Sequence, residues 1–107
     1  MDRADHGRRA AAADLLITDP SDQRSLSELA DLAGVSSRTL ARLFLIGTGL
    51  TFGAWRTEVR LRASLSLLAD GVPLTGVARR VGYATPSAFV AAFHREVGIS
   101  PGRYFSA

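Results

Sequence analysis

Cysteine is absent from the 107 residues, which excludes disulfides, thiolate zinc sites and thiol catalysis. Lysine is absent too, so all thirteen basic residues are arginine. No apolar run approaches the ~20 residues of a membrane span, and no membrane partner is expected. The two histidines, His6 and His94, are far apart in sequence, and neither has a second ligand at helical spacing, so no metal site is expected. The chain also lacks a glycine-rich phosphate loop, an H-E-x-x-H pair, a nucleophile elbow and a pair of inward carboxylates on facing elements. An enzyme reading therefore has no residues to stand on, and no cofactor is expected. A hydrophobic fraction of 47% nevertheless excludes a disordered tail and points to a soluble folded domain.

What is present is an internal duplication at an offset of 48 to 49 residues. Ala30, Gly34, Leu40, Phe44, Gly49, Leu50, Thr51, Gly53 and Trp55 are answered by Ala78, Gly82, Phe89, Phe93, Gly98, Ile99, Ser100, Gly102 and Tyr104. The offset is 48 up to the second-copy glycine Gly82 and 49 afterwards, so one residue is inserted between Gly82 and Phe89. One supersecondary unit is used twice.

The unit reads as helix, glycine turn, helix. Ser25-Leu26-Ser27-Glu28 has the form of a capping box, and Leu26, Leu29, Ala30 and Ala33 recur at helical spacing behind it. Gly34 then stands where a positive φ is needed. Ser36 can cap the next helix, in which Leu40, Leu43 and Phe44 share one face. Copy two repeats the plan with Leu74, Val77, Ala78 and Val81, then Gly82, then Thr85-Pro86 as cap and first helical residue. Between the copies, Thr51 can cap a helix running to about Ala69, with Phe52, Trp55 and Val59 on one face and Leu61, Leu65 and Leu68 on an adjoining one. Such a helix is roughly 25 Å long, comparable with the ~34 Å turn of DNA. A short helix, a glycine turn and a second helix with an outer face of small polar residues and arginine is the form of a helix-turn-helix. The expected fold is all-α, with residues 1–51 as a first helix plus the first module, 52–70 as the connecting helix and 71–107 as the second module.

Charge is divided unevenly along the chain. Residues 1–53 hold six arginines and seven acids, and residues 54–107 hold seven arginines and three acids. The rigid guanidinium fork suits phosphate and guanine, so a basic second half favours a polyanionic partner. Base bias in the gene accounts equally well for the missing lysines. The asymmetry needs another cause, and the acids Asp14, Asp19, Asp22, Glu28 and Asp31 fall away from the proposed outer face.

These residues carry a family resemblance. From Ser25 to Tyr104, about three quarters of the chain, the sequence resembles the DNA-binding domain of AraC/XylS-type bacterial transcription regulators. Arg60-Leu61, the G-Y-x-x-x-S-x-F run from Gly82 to Phe89 and the G-x-S-P-x-x-Y run from Gly98 to Tyr104 carry it, in order. The resemblance implies about seven helices and a sequence-specific regulator that inserts two recognition helices into adjacent major grooves of double-stranded DNA. It also implies that Arg38, Ala41 and Arg42 read bases from the first recognition helix, with Ser36, Ser37 and Thr39 nearer the DNA backbone. In the second helix, which Thr85 caps at the DNA-binding face, the corresponding positions are Pro86, Ser87, Ala88 and Ala91, where relatives often carry longer polar or arginine side chains. Ser87, Ala88 and Ala91 could meet thymine methyl groups or allow close approach, while His94 and Arg95 reach phosphate. Module one is then expected to specify and module two to anchor.

Trp55, Phe44, Phe52, Phe89, Phe93 and Tyr104 occupy repeat-related apolar positions and are expected in the core. Arg56, Arg60 and Arg62 on the connecting helix are expected either at phosphate or on a solvated face. Leu45-Ile46-Gly47 departs from the family's polar pattern, and the expectation is a local repacking around Gly47 that leaves one of the two apolar residues exposed. Arg8-Arg9 before Ala10 to Ala13 resembles a twin-arginine signal, but Asp14 interrupts the apolar stretch and Asp19-Pro20 ends it. It reads instead as a first helix capped by Asp2 or Asp5, and a cytoplasmic location is expected. The alternative function is a helical interaction module that docks an RNA polymerase subunit or a second regulator through Leu45-Ile46. If the chain is a fragment of a larger regulator, an effector-binding or dimerisation domain lies elsewhere. The operator, the inducing signal and the sign of regulation are not encoded in these motifs.

Overall fold

The computed structural model describes residues 3–105, so the proposed Asp2 cap lies outside the described residues. Among these residues seven helices follow one another: α1 (Arg3–Thr18), α2 (Leu26–Ala33), α3 (Ser37–Thr48), α4 (Phe52–Ala69), α5 (Leu74–Val81), α6 (Pro86–Val97) and α7 (Pro101–Tyr104). Among the described residues there is no strand, in agreement with the all-α expectation.

Local chemistry sets the boundaries. Ser25 Oγ accepts from the Glu28 N–H at 3.1 Å and the Ser25 N–H donates to Glu28 Oε1 at 3.2 Å, so the capping box is complete. We expect Ser25→Ala to cost about 1 kcal/mol and lower the melting midpoint by about 4–8 °C, read by circular dichroism. An unchanged midpoint would show that the box contributes nothing to α2. At the other end the Val35 N–H donates to the Ala30 carbonyl at 3.1 Å and the Gly34 N–H to Asp31 at 3.2 Å. The second copy repeats this with Tyr83 to Ala78 at 2.8 Å and Gly82 to Arg79 at 3.3 Å. Both are Schellman turns, and they require the positive φ of Gly34 (74°) and Gly82 (99°). The cap of the following helix comes two residues after Gly34 (Ser36) but three after Gly82 (Thr85), which locates the inserted residue of copy two between turn and cap.

Two cores form, one per copy. The first gathers Ala12, Ala13 and Leu16 of α1, Leu29 and Ala30 of α2, and Leu40 and Phe44 of α3, with Phe52 and Trp55 of α4 against them. The second gathers Leu61 of α4, Val77, Ala78 and Val81 of α5, and Phe89, Ala92 and Phe93 of α6. The two apolar faces read along α4 thus serve different cores, its first turn the former and its later turns, with Leu65 and Leu68, the latter. Ring packing keeps the repeat: Trp55 lies 4.9 Å from Phe44 and Tyr104 lies 5.7 Å from Phe93, between centroids. Tyr104 is nonetheless 44% exposed, short of the core position expected, because it sits in the last turn of a four-residue helix. Leu74 is exposed as well, unlike the rest of the apolar set of α5.

The Leu45-Ile46 expectation is overturned. Both side chains are exposed, at 51% and 57%, and no repacking buries either of them. At Gly47 an added Cβ would stand 2.6 Å from Arg9 Nε, so the Arg9 side chain that reaches α3 from α1 would have to shift.

Candidate nucleic-acid interface

The second helix of each copy begins in a side-chain cap and presents small or basic residues outward. In α3, Ser36 Oγ accepts from the Thr39 N–H at 3.1 Å and donates to Thr39 Oγ1 at 3.0 Å, so these two hydroxyls first of all build the helix start. Ser37 and Ala41 are half-buried, and Arg38 and Arg42, one turn apart, are exposed. The next turn of the same stripe carries Leu45 and Ile46. Among the described residues neither Arg38 nor Arg42 has a carboxylate within ion-pairing distance. Their forks project from the first turns of the helix, the part that meets base edges when such a helix lies in a groove.

In α6, Thr85 Oγ1 accepts from the Ala88 N–H at 3.1 Å and Pro86 is the first helical residue. Ser87, Ala88, Ala91, His94 and Arg95 are all exposed. Pro86, Ser87, Val90, Ala91 and His94 line an open depression of about 550 Å³, the space that short side chains leave on this face. Arg95 Nε lies 3.7 Å from Glu96 Oε1 on the surface, a pair of small energetic weight.

A second concavity, of about 570 Å³, adjoins the start of α6 and brings together Ser21, Gln23, Thr75, Arg79, Tyr83 and Pro86. Arg79 was not among the sequence candidates. The one available signal was the pair Arg79-Arg80 in the last turn of α5, where both side chains are exposed.

Of the α4 arginines, Arg62 lies on a solvated face, whereas Arg56 and Arg60 are half-buried. Arg62 forms an exposed pair with Glu58 at 2.8 Å. Arg56 Nη2 donates to the Arg24 carbonyl, and its guanidinium lies 4.7 Å over the Phe52 ring. Arg60 donates from Nε to the Pro20 carbonyl at 3.1 Å and from Nη2 to the Asp22 carbonyl at 3.2 Å. Burial draws both guanidinium pKa values down from the ordinary arginine value, with Arg60's charge adding to the effect on Arg56. Burial likewise pushes the Tyr83 phenol up, against the opposing charge of Arg60. Both arginines act as internal donors to loop carbonyls in this structure.

Comparison with known proteins follows the same lines. A family model described as a helix-turn-helix domain matches residues 29–107. The HTH-type transcriptional regulator RipA of Corynebacterium glutamicum is 43% identical over 94 residues, covering 88% of this chain and 28% of that protein. The HTH-type transcriptional regulator NimR of Escherichia coli is 32% identical over 101 residues, covering 94% of this chain and 37% of that protein. The chain therefore spans well under half the length of these relatives. Among solved structures, the DNA-binding domain of AdpA in complex with a target DNA superposes with a TM-score of 0.83 at 29% identity, over 90% of this chain and 87% of that one. The C-terminal domain of AraT, a response regulator from Geobacillus stearothermophilus, gives 0.81 at 26% identity, over 96% of this chain and 84% of that one.

Proposed function

This chain belongs to the AraC-type helix-turn-helix family, and from that membership we propose that it binds double-stranded DNA in a sequence-specific way and regulates transcription, laying α3 and α6 into adjacent major grooves. The observation that carries the reading is the paired outer face: two capped helices in one polypeptide, each exposing arginine or small polar residues where base edges would lie. In this reading Arg38 and Arg42 each present a bidentate fork to a guanine, and Ala41 meets the base edges beside them. Ser36, Ser37 and Thr39 order the α3 N-terminus beside the DNA backbone. On α6, Thr85 and Pro86 set the helix start, and Ser87, Ala88 and Ala91 allow close approach to the groove floor. His94 and Arg95, together with Arg79 of α5, meet phosphate.

The relatives are named as transcription regulators. No described helix is long and apolar enough to cross a membrane. A second reading rests on Leu45 and Ile46, whose joint exposure suits a protein partner such as a polymerase subunit.

Selection of bound sequences from a random duplex pool, followed by salt titration, tests the proposal. We expect a non-palindromic site over two successive major grooves with one chain per duplex, because two recognition helices lie in one polypeptide. Affinity should fall by ~0.9 log units per phosphate contact for each log unit of salt. A palindromic site occupied by two chains would contradict the monomeric mode. Absence of duplex binding, with salt-insensitive capture of a polymerase subunit, would put the protein-docking reading in its place.

A further inference from the structure

The loop between α1 and α2, residues 19–25, bridges the two modules. It belongs in sequence to the first, and its backbone carbonyls are held by the connecting helix. Arg60 donates to the Pro20 and Asp22 carbonyls and, at 3.4 Å, to Gln23 Oε1, while Arg56, one turn earlier, donates to the Arg24 carbonyl. Gln23 then reaches the other way. Its Nε2 donates to the carbonyl of Gly82 at 2.7 Å, at the turn between α5 and α6 and 59 residues distant in sequence. The Arg60 guanidinium also faces that turn, lying 5.7 Å from the Tyr83 ring centroid, and a Cβ on Gly82 would stand 2.8 Å from its Cζ.

We propose that Arg60 and Gln23 form a positioning clamp that locks the turn of the second module to the loop of the first, and thereby sets the spacing of the two half-sites that α3 and α6 can engage together. The proposal rests on the two-groove reading above. Its physical basis is that α4 packs on both cores but is a single rod, about which each module could rock. The clamp is a second, off-axis attachment, and two points fix an orientation that one leaves loose. Arginine is suited to it, because a planar fork with five donors can hold several acceptors in fixed directions, which a lysine ammonium cannot do as a point charge. Orientation matters because inserting one base pair moves a half-site by ~3.4 Å and rotates it by ~35° about the duplex axis.

The test uses the full chain and duplexes in which the spacer between the two selected half-sites is shortened or lengthened by one base pair. The parent should lose about tenfold in affinity at either changed spacer, a loss of ~1.4 kcal/mol. Arg60→Ala should bind the best site more weakly and lose less than about threefold on spacer change, with Arg60→Lys between the two. Gln23→Ala leaves the carbonyl contacts of Arg60 in place and should relax the spacer preference in the same direction. It carries the test if Arg60→Ala fails to fold. A DNA-free readout accompanies both: spin labels on the outer faces of α3 and α6 should give a broader distance distribution in each variant. If the parent binds no duplex, the two-groove reading fails, while the distance distribution still judges the clamp. Uniformly weaker binding with an unchanged spacer profile and an unchanged distance distribution would overturn it.

Discussion

Gly82→Val is expected to lower the melting midpoint by roughly 15–25 °C, the largest shift foreseen for a single substitution outside the core. Two costs combine. The residue lies at φ 99°, where a β-branched side chain costs about 1–3 kcal/mol of backbone strain. The new Cβ would also stand 2.8 Å from Arg60 Nε and Cζ and 3.0 Å from Nη2, so the guanidinium must leave the Pro20 and Asp22 carbonyls. Hydrogen bonds to charged groups are worth about 1.5–3 kcal/mol, which brings the total to about 2.5–6 kcal/mol. Gly34→Val separates the two costs. Its φ is 74°, but nothing lies within 4 Å of an added Cβ, so only the strain remains and the shift should be about half as large. Thermal melts followed by circular dichroism give both values. Equal shifts would mean that Arg60 yields at no cost, and no shift in either would mean that neither turn needs a left-handed residue.

The second large effect concerns base reading. Arg42→Ala and Arg38→Ala should each cost ~1–3 kcal/mol on the preferred duplex, roughly 5- to 150-fold in affinity, and relax preference at one or two base pairs. Both side chains are exposed, so their removal should leave the fold and the melting curve nearly unchanged. Arg95→Ala should behave differently, because a phosphate contact is blind to sequence. Binding should weaken about equally on matched and scrambled duplexes, and the salt slope should shrink by ~1 as one fewer counterion is released. Quantitative binding at several salt concentrations distinguishes the two signatures. A sequence-selective Arg95→Ala beside a uniform Arg42→Ala would reverse the division of labour between the modules.

Much of the architecture was legible along the chain because the signals that carry it are local. Ser25 and Glu28 are three residues apart, Gly34 and Gly82 each end a helix they adjoin, and Thr51 caps the helix that starts at Phe52. The outer faces of α3 and α6 were legible for the same reason, since 3.6-residue periodicity separates Arg38 and Arg42 from Leu40, Leu43 and Phe44. Leu45 and Ile46 show where this logic stops. Their position beside two inward residues predicted some exposure, but the occupation of the Gly47 face by Arg9 depends on how α1 crosses α3.

The sequence alone thus determined the repeat, the helix starts and stops and the two apolar sets along α4, because each depends on interactions within about one turn of helix. Tertiary structure alone decided the fate of Arg56, Arg60 and Gln23. Their acceptors lie 32, 38 to 40 and 59 residues away, and backbone carbonyls are present at every position, so no residue pattern marks the ones that will be used. A phosphate ligand and an internal donor look identical as an arginine on a helix. Only the loop folded against α4 presents carbonyls within reach, and those carbonyls make the difference.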